Sequence, residues 1–115
     1  MPEVPASHAD LLERPLFAHL ATIRPNGAPQ SSVMWFAWDG SRIRMTHTRT
    51  RQKFANLARE PRVALSIADP DDQYRFLEVR GTAEKIEDAD VRVVITIRPD
   101  RYIAVRSGAV VGVEI

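Results

Sequence analysis

Cysteine is absent from these 115 residues, which removes disulfides, thiolate nucleophiles and cysteine-held metals or iron–sulfur clusters. Long apolar runs are missing too, and none approaches the roughly 20 residues a membrane-spanning helix needs. Met1-Pro2-Glu3-Val4-Pro5 has neither the cationic start nor the apolar core of an export signal, so a soluble cytoplasmic protein is expected. Charge of one sign is also scarce. Sixteen Lys and Arg against fifteen Asp and Glu give a net charge of +1, which excludes a polybasic coat for nucleic acid or membrane and makes any anion site local.

The chain has the 44% hydrophobic content and the length of one domain, residues 1–115. Ser7 to Arg14 reads as a short helix with Ser7 as N-cap, Asp10 at the capping-box position and Pro15 closing it. Phe17–Ile23 is a strand, Arg24-Pro25-Asn26-Gly27 a tight turn, and Gln30–Trp38 the return strand, which meets a second turn at Asp39-Gly40. Arg42–Thr46 alternates polar with apolar. Phe54, Leu57 and Ala58 then take helical spacing after Thr50, and Pro61 ends that helix. Strands are expected at Val63–Ala68 and Tyr74–Ala83, with a bulge or bend at Gly81. Two more, Val91–Ile97 and Tyr102–Arg106, are separated at Pro99-Asp100. The sum is a mainly β chain of six to seven antiparallel strands with two short helices, a barrel or sandwich.

The sharpest chemical feature is a basic segment. Arg42, Arg44, Arg49, Arg51, Lys53, Arg59 and Arg62 face only Glu60 between positions 42 and 62. Arg51 and Lys53 fall in the first turn of the second helix, where cations oppose the helix dipole unless an anion sits there. Thr46, Thr48 and Thr50 add hydroxyls just before it. The alternative is a solvated basic face. His8, His19 and His47 are too scattered for a zinc site; His19 reads as a half-buried strand residue, and His47 stands at the strand end leading to the basic helix. Ser31 and Ser32 lack a nucleophile elbow. Met34, Phe36 and Trp38 share one face of their strand and Trp35 the other, so one side is core and the other is free to wall a flat ligand or a second subunit. An oligonucleotide-binding barrel would also combine aromatics with arginines, but the near-zero net charge weighs against it.

Taken in order, Leu20-Ala21-Thr22-Ile23-Arg24-Pro25-Asn26-Gly27-Ala28-Pro29-Gln30, Val33-Met34-Trp35-Phe36, Trp38-Asp39-Gly40, Thr50-Arg51-Gln52-Lys53-Phe54-Ala55-Asn56-Leu57, Pro61-Arg62-Val63 and Arg75-Phe76-Leu77-Glu78-Val79-Arg80-Gly81 resemble the pyridoxamine 5′-phosphate oxidase-like split β-barrel family. They look most like its branch that uses the deazaflavin coenzyme F420. The resemblance implies a homodimer of FMN-binding-type split barrels with cofactor clefts between subunits. It implies an oxidoreductase that passes a hydride between reduced F420 and a small or planar unsaturated substrate. FMN is the alternative cofactor, and a non-catalytic F420, FMN or haem carrier or sensor the alternative role. By the same resemblance Arg51 and Lys53 hold the cofactor phosphate, with Thr46, His47 and Thr48 beside it. Ser31, Ser32, Val33 and Met34 lie on the strand lining the cofactor, and Tyr74 and Arg75 belong to the second subunit's contribution. No catalytic residue is assigned beyond His47 as a candidate proton donor, and no metal is expected. Family members usually carry a longer, often helical stretch between the strands ending near Ile86 and starting near Val91; here only Glu87-Asp88-Ala89-Asp90 intervene.

Overall fold

A computed structural model describes residues 2–48, 52–89 and 92–114. Eight strands form one antiparallel sheet: β1 Phe17–Ile23, β2 Pro29–Trp35, β3 Ala37–Trp38, β4 Ile43–Thr48, β5 Arg62–Asp69, β6 Asp72–Ala89, β7 Arg92–Arg106 and β8 Ala109–Glu114. The spatial order is β2-β1-β5-β6-β7-β4-β3, with β8 pairing the far end of β7. β3 continues β2 after a break at Phe36, so the count agrees with the expected split barrel. The helices are α1 Asp10–Glu13 and α2 Gln52–Arg59.

Strict alternation curls the sheet around its core, because successive side chains in a strand point to opposite faces. Along β5, Val63, Leu65 and Ile67 are buried while Arg62, Ala64, Ser66 and Ala68 face outward. Leu20, Met34, Ile43, Met45, Leu77, Val79, Ile95 and Ile97 complete the interior. The first turn is set by Asn26 and Gly27: the Asn26 side-chain oxygen accepts from the Ala28 N–H at 2.9 Å, and Gly27 takes φ +85°, which a side chain would oppose.

Three expectations change. Ser7 does not cap a helix. Residues Ala6–His8 form a 3-10 turn, the Ser7 hydroxyl bonds His8 Nδ1 at 2.8 Å, and α1 starts only at Asp10, whose carboxylate is drawn to Arg75. Arg14 is extended, with ψ 151°, as a residue before proline prefers. The two strands expected on either side of Pro99-Asp100 are one, β7. Arg80 pairs Arg101 and Gly81 pairs Pro99, so Asp100 is an extra residue in a bulge, where proline's missing N–H is tolerated. Gly81 is the partner that permits it, since a Cβ there would stand 2.6 Å from the Arg98 carbonyl oxygen. The short 86–91 connection is explained the same way: β6 simply runs on to Ala89 opposite Arg92. Beyond the Ser107-Gly108 turn the C-terminal segment forms β8. Finally, His19 is exposed rather than half-buried, facing outward between Val33 and Ser66.

A charge cluster fastens the N-terminal segment. Arg75, 12% exposed, donates to Asp69 at 2.9 Å and to Asp10, and its other nitrogen reaches the Ser7 carbonyl at 2.6 Å. Arg14 joins Asp69 at 3.4 Å and Asp71 at 3.3 Å. His8 is fully buried and donates from Nε2 to the Val105 carbonyl at 3.0 Å, which leaves Nδ1 to accept from Ser7.

Candidate functional site

Three of the seven cations between positions 42 and 62 are paired with carboxylates once the chain folds. Arg42 grips Glu84 with two nitrogens, at 2.8 and 3.1 Å. Arg44 meets Asp39 at 2.5 Å, and Arg62 meets Glu60 at 2.5 Å. The Arg42 and Ser41 backbone N–H groups and the Arg44 guanidinium hold the Asp39 carboxyl far below the usual carboxylate range. Asp39 thereby braces the turn between β3 and β4, Arg42 ties that turn to β6 through Glu84, and Arg62 pairs with Glu60 at the start of β5. The other four cations of the segment, Arg49, Arg51, Lys53 and Arg59, fall in sequence at α2 and its approach. Arg51, with Arg49 and Thr50, lies outside the described residues. The side chains of His47, Thr48 and Lys53 lie outside them as well, although the backbone of β4 and α2 is described on both sides.

The position of α2 is fixed by one polar residue in its buried stripe. Asn56 is 0% exposed and donates to Thr22 Oγ1 and to Gln30 Oε1, both at 3.2 Å. Leu57 is buried beside it, and Arg59 donates to the Ile23 carbonyl. The helix is thereby clamped to the turn end of the β1–β2 hairpin. Asn56 was quoted within a motif without a role; a buried-stripe position occupied by asparagine was its only signal.

Alternation splits the residues expected on the cofactor strand. Ser31 and Val33 face outward with Trp35, whereas Ser32 and Met34 face inward. Val33 is 55% and Trp35 59% exposed, and Trp35 stacks on Phe17 with ring centroids 4.0 Å apart. The inward Ser32 hydroxyl is buried with no hydrogen-bond partner. Thr46 is exposed on β4, sharing its outward face with Arg44. Ser31, Val33 and Thr46 are thus available at the surface, and Met34 is core.

Tyr74 and Arg75 are not brought to this place. Thr46 pairs Val94 near one end of β7, and Arg75 pairs Arg106 at the other. The two positions stand twelve residues apart along β7. Tyr74 is 74% exposed, while Arg75 is committed to Asp10 and Asp69. Sequence reasoning also missed a surface groove over Ala21 and Ala64, rimmed by Arg62, Arg80, Thr82 and Asp100. Its residues come from four strands and have no sequence motif. Among the described residues no group of three His, Asp or Glu is placed to hold a metal ion, and no helix is long and apolar enough to cross a membrane.

The sheet order, the clamped basic helix and the long β6–β7 hairpin define a split barrel of a known kind. The family model described as pyridoxamine 5′-phosphate oxidase matches residues 4–107, and the chain belongs to that family. Among solved structures it is similar to an F420 reductase, with 45% identity, 86% of this chain and 98% of that one covered, and a TM-score of 0.81. It shares the fold of general stress protein 26 from Bacillus anthracis str. Sterne, at 20% identity, 84% and 89% coverage and a TM-score of 0.74. The haem binding protein from Mycobacterium smegmatis also shares it, at 20% identity, 87% and 53% coverage and a TM-score of 0.74. No curated protein sequence matches the chain.

Proposed function

We propose that the protein is an F420-dependent oxidoreductase that works as a homodimer and reduces a small or planar unsaturated substrate. The observation that carries this reading is the 45% identity to an F420 reductase across 98% of that chain. The residues present suit such a group. Arg49, Arg51, Lys53 and Arg59 cluster in sequence at α2 and its lead-in, and a helix N-terminus suits a phosphate. The Phe17–Trp35 pair offers an exposed aromatic wall beside Val33, on the face that Ser31 shares. When bound, the deazaflavin supplies hydride chemistry; the protein's own task is to bind, orient and exclude water. Thr46 and Ser31 donate or accept hydrogen bonds at its edges, Arg51 and Lys53 hold its phosphate, and His47 is the candidate to deliver a proton to the reduced substrate.

The dimer supplies what one chain lacks. Tyr74 cannot reach the β4–α2 region of its own chain, so any part it plays there comes from the second copy. Exposed Phe17, Val33 and Trp35 give the apolar surface a second copy would cover. The test of the site is Arg51→Ala with Lys53→Ala. Charge-assisted phosphate contacts contribute about 1.5–3 kcal/mol each, so fluorescence titration is expected to show F420 affinity falling by at least a hundredfold in the double variant. Unchanged affinity would remove these residues from the phosphate site.

A further inference from the structure

A second cavity, of about 500 Å³, lies between the N-terminal segment and the β3–β4 turn, at the end of β4 away from α2. Its walls come from places distant in sequence: Pro2 to Val4, Trp38 with the turn that follows it, and Tyr102 of β7. A space of this size suits a small ligand. Most of it is built from fixed elements. Trp38 pairs Ile43 across β3 and β4 and packs against the core, and Tyr102 is 2% exposed. The Asp39 carboxylate holds the turn by accepting from the Ser41 and Arg42 N–H groups at 2.8 and 2.7 Å. Gly40, at φ +96°, brings no side chain to that wall, so the turn leaves the space open.

The lining is uneven in chemistry. Two aromatic rings and the apolar Pro2 and Val4 share it with one carboxylate, Glu3. Glu3 is exposed and makes no ion pair or hydrogen bond among the described residues. Arg42, next to Ser41, does not answer it: two of its nitrogens are on Glu84 at 2.8 and 3.1 Å, and it donates to Ser41 Oγ at 2.9 Å. Among the described residues no Lys or Arg lines the cavity, so an anion finds no counter-charge there. A single carboxylate supplies too few oxygens for a bare metal ion. An organic cation meets neither objection. It is drawn to aromatic faces, tryptophan most strongly, and its apolar substituents lie against apolar walls while a carboxylate at the rim supplies the opposite charge.

We infer that this cavity binds a small organic ammonium ion with apolar substituents, its charged group against Trp38 and Tyr102 and Glu3 as its counter-charge. None of the residues assigned to F420 lines this cavity, so binding here stands or falls apart from the proposed oxidoreductase role.

The test is calorimetric titration of the intact protein, without cofactor and at constant ionic strength, with choline and with 3,3-dimethylbutan-1-ol, in which an uncharged carbon replaces the quaternary nitrogen. Choline is expected to bind about fivefold or more tightly than the alcohol, and Glu3→Gln to reduce that preference by about twofold or more. Glu3 is exposed, so this variant keeps the fold. The chain has two tryptophans, and fluorine NMR of protein labelled with 5-fluorotryptophan adds a readout on the unaltered sequence. Choline should move the Trp38 signal and leave that of Trp35 in place, with Trp35→Phe assigning the pair. Equal binding of choline and the alcohol, no saturable binding of choline, a preference undiminished in Glu3→Gln, or a shift confined to Trp35 would overturn the inference.

Discussion

Arg75 illustrates how a charged residue can be settled by the fold. By resemblance Arg75 belongs to the second subunit's contribution to the cofactor site; in the fold its guanidinium lies between Asp10 and Asp69 and ties the N-terminal segment to the β5–β6 hairpin. Arg75 lowers the Asp10 carboxyl below its usual range, and the Asp71 N–H followed by Arg75 does the same for Asp69. The unfolded chain therefore binds more protons than the folded one as these carboxyls enter their ordinary titration range near pH 4. Their contribution to stability is complete above that range and lost as pH falls through the depressed folded-state values. Arg75→Ala is expected to lower the Tm by several degrees at neutral pH, with the gap to the unaltered protein narrowing below about pH 4; thermal melts across pH measure both. A gap that is constant with pH would mean the cluster contributes through packing alone. Gly81 makes a second case. Gly81→Ala places a Cβ 2.6 Å from the Arg98 carbonyl oxygen and 3.0 Å from Ile97 Cγ2, and the overpacking should cost roughly 1–3 kcal/mol, read in a denaturant melt.

At the scale of elements, α2 is held by Asn56. Asn56→Ala removes the donor to buried Thr22 Oγ1 and leaves Gln30 Oε1 with Arg24 alone, and the loss should be about 1–3 kcal/mol. Because α2 and its lead-in carry the proposed phosphate-binding cations, F420 affinity should fall in the same variant; a helix that is destabilised with no change in affinity would separate the clamp from the phosphate site. The strands themselves were legible from local chemistry. β1 agreed residue for residue, since alternation and the Asn26-Gly27 turn fix both its faces and its end. β7 was misread because Pro99-Asp100 is a turn signal in isolation, and only the pairing of Gly81 with Pro99 converts it to a bulge. Ser7 was misread because a serine before an acidic residue suits a cap, but His8 and Arg75 take the side chains that would have formed it. The site was half legible. The basic segment stands out in sequence, whereas the pairing of its Arg42 with Glu84 and Arg44 with Asp39, and the groove over Ala21 and Ala64, arise only from the fold.

For the whole molecule, the sheet leaves Phe17, Val33 and Trp35 exposed on one flank and Tyr74 far from the β4–α2 region of its own chain. A working site assembled from both ends of the barrel requires two copies. Light scattering is expected to give twice the 13.0 kDa chain mass, and Trp35→Glu to shift the species towards monomer with weaker cofactor binding; a monomer that binds cofactor fully would show that one chain suffices. The most direct measurement is a side-by-side fluorescence titration of the purified protein with F420 and FMN. The account predicts micromolar or tighter binding of F420, with FMN about tenfold weaker or worse. Preference for FMN, or binding of neither, would contradict it.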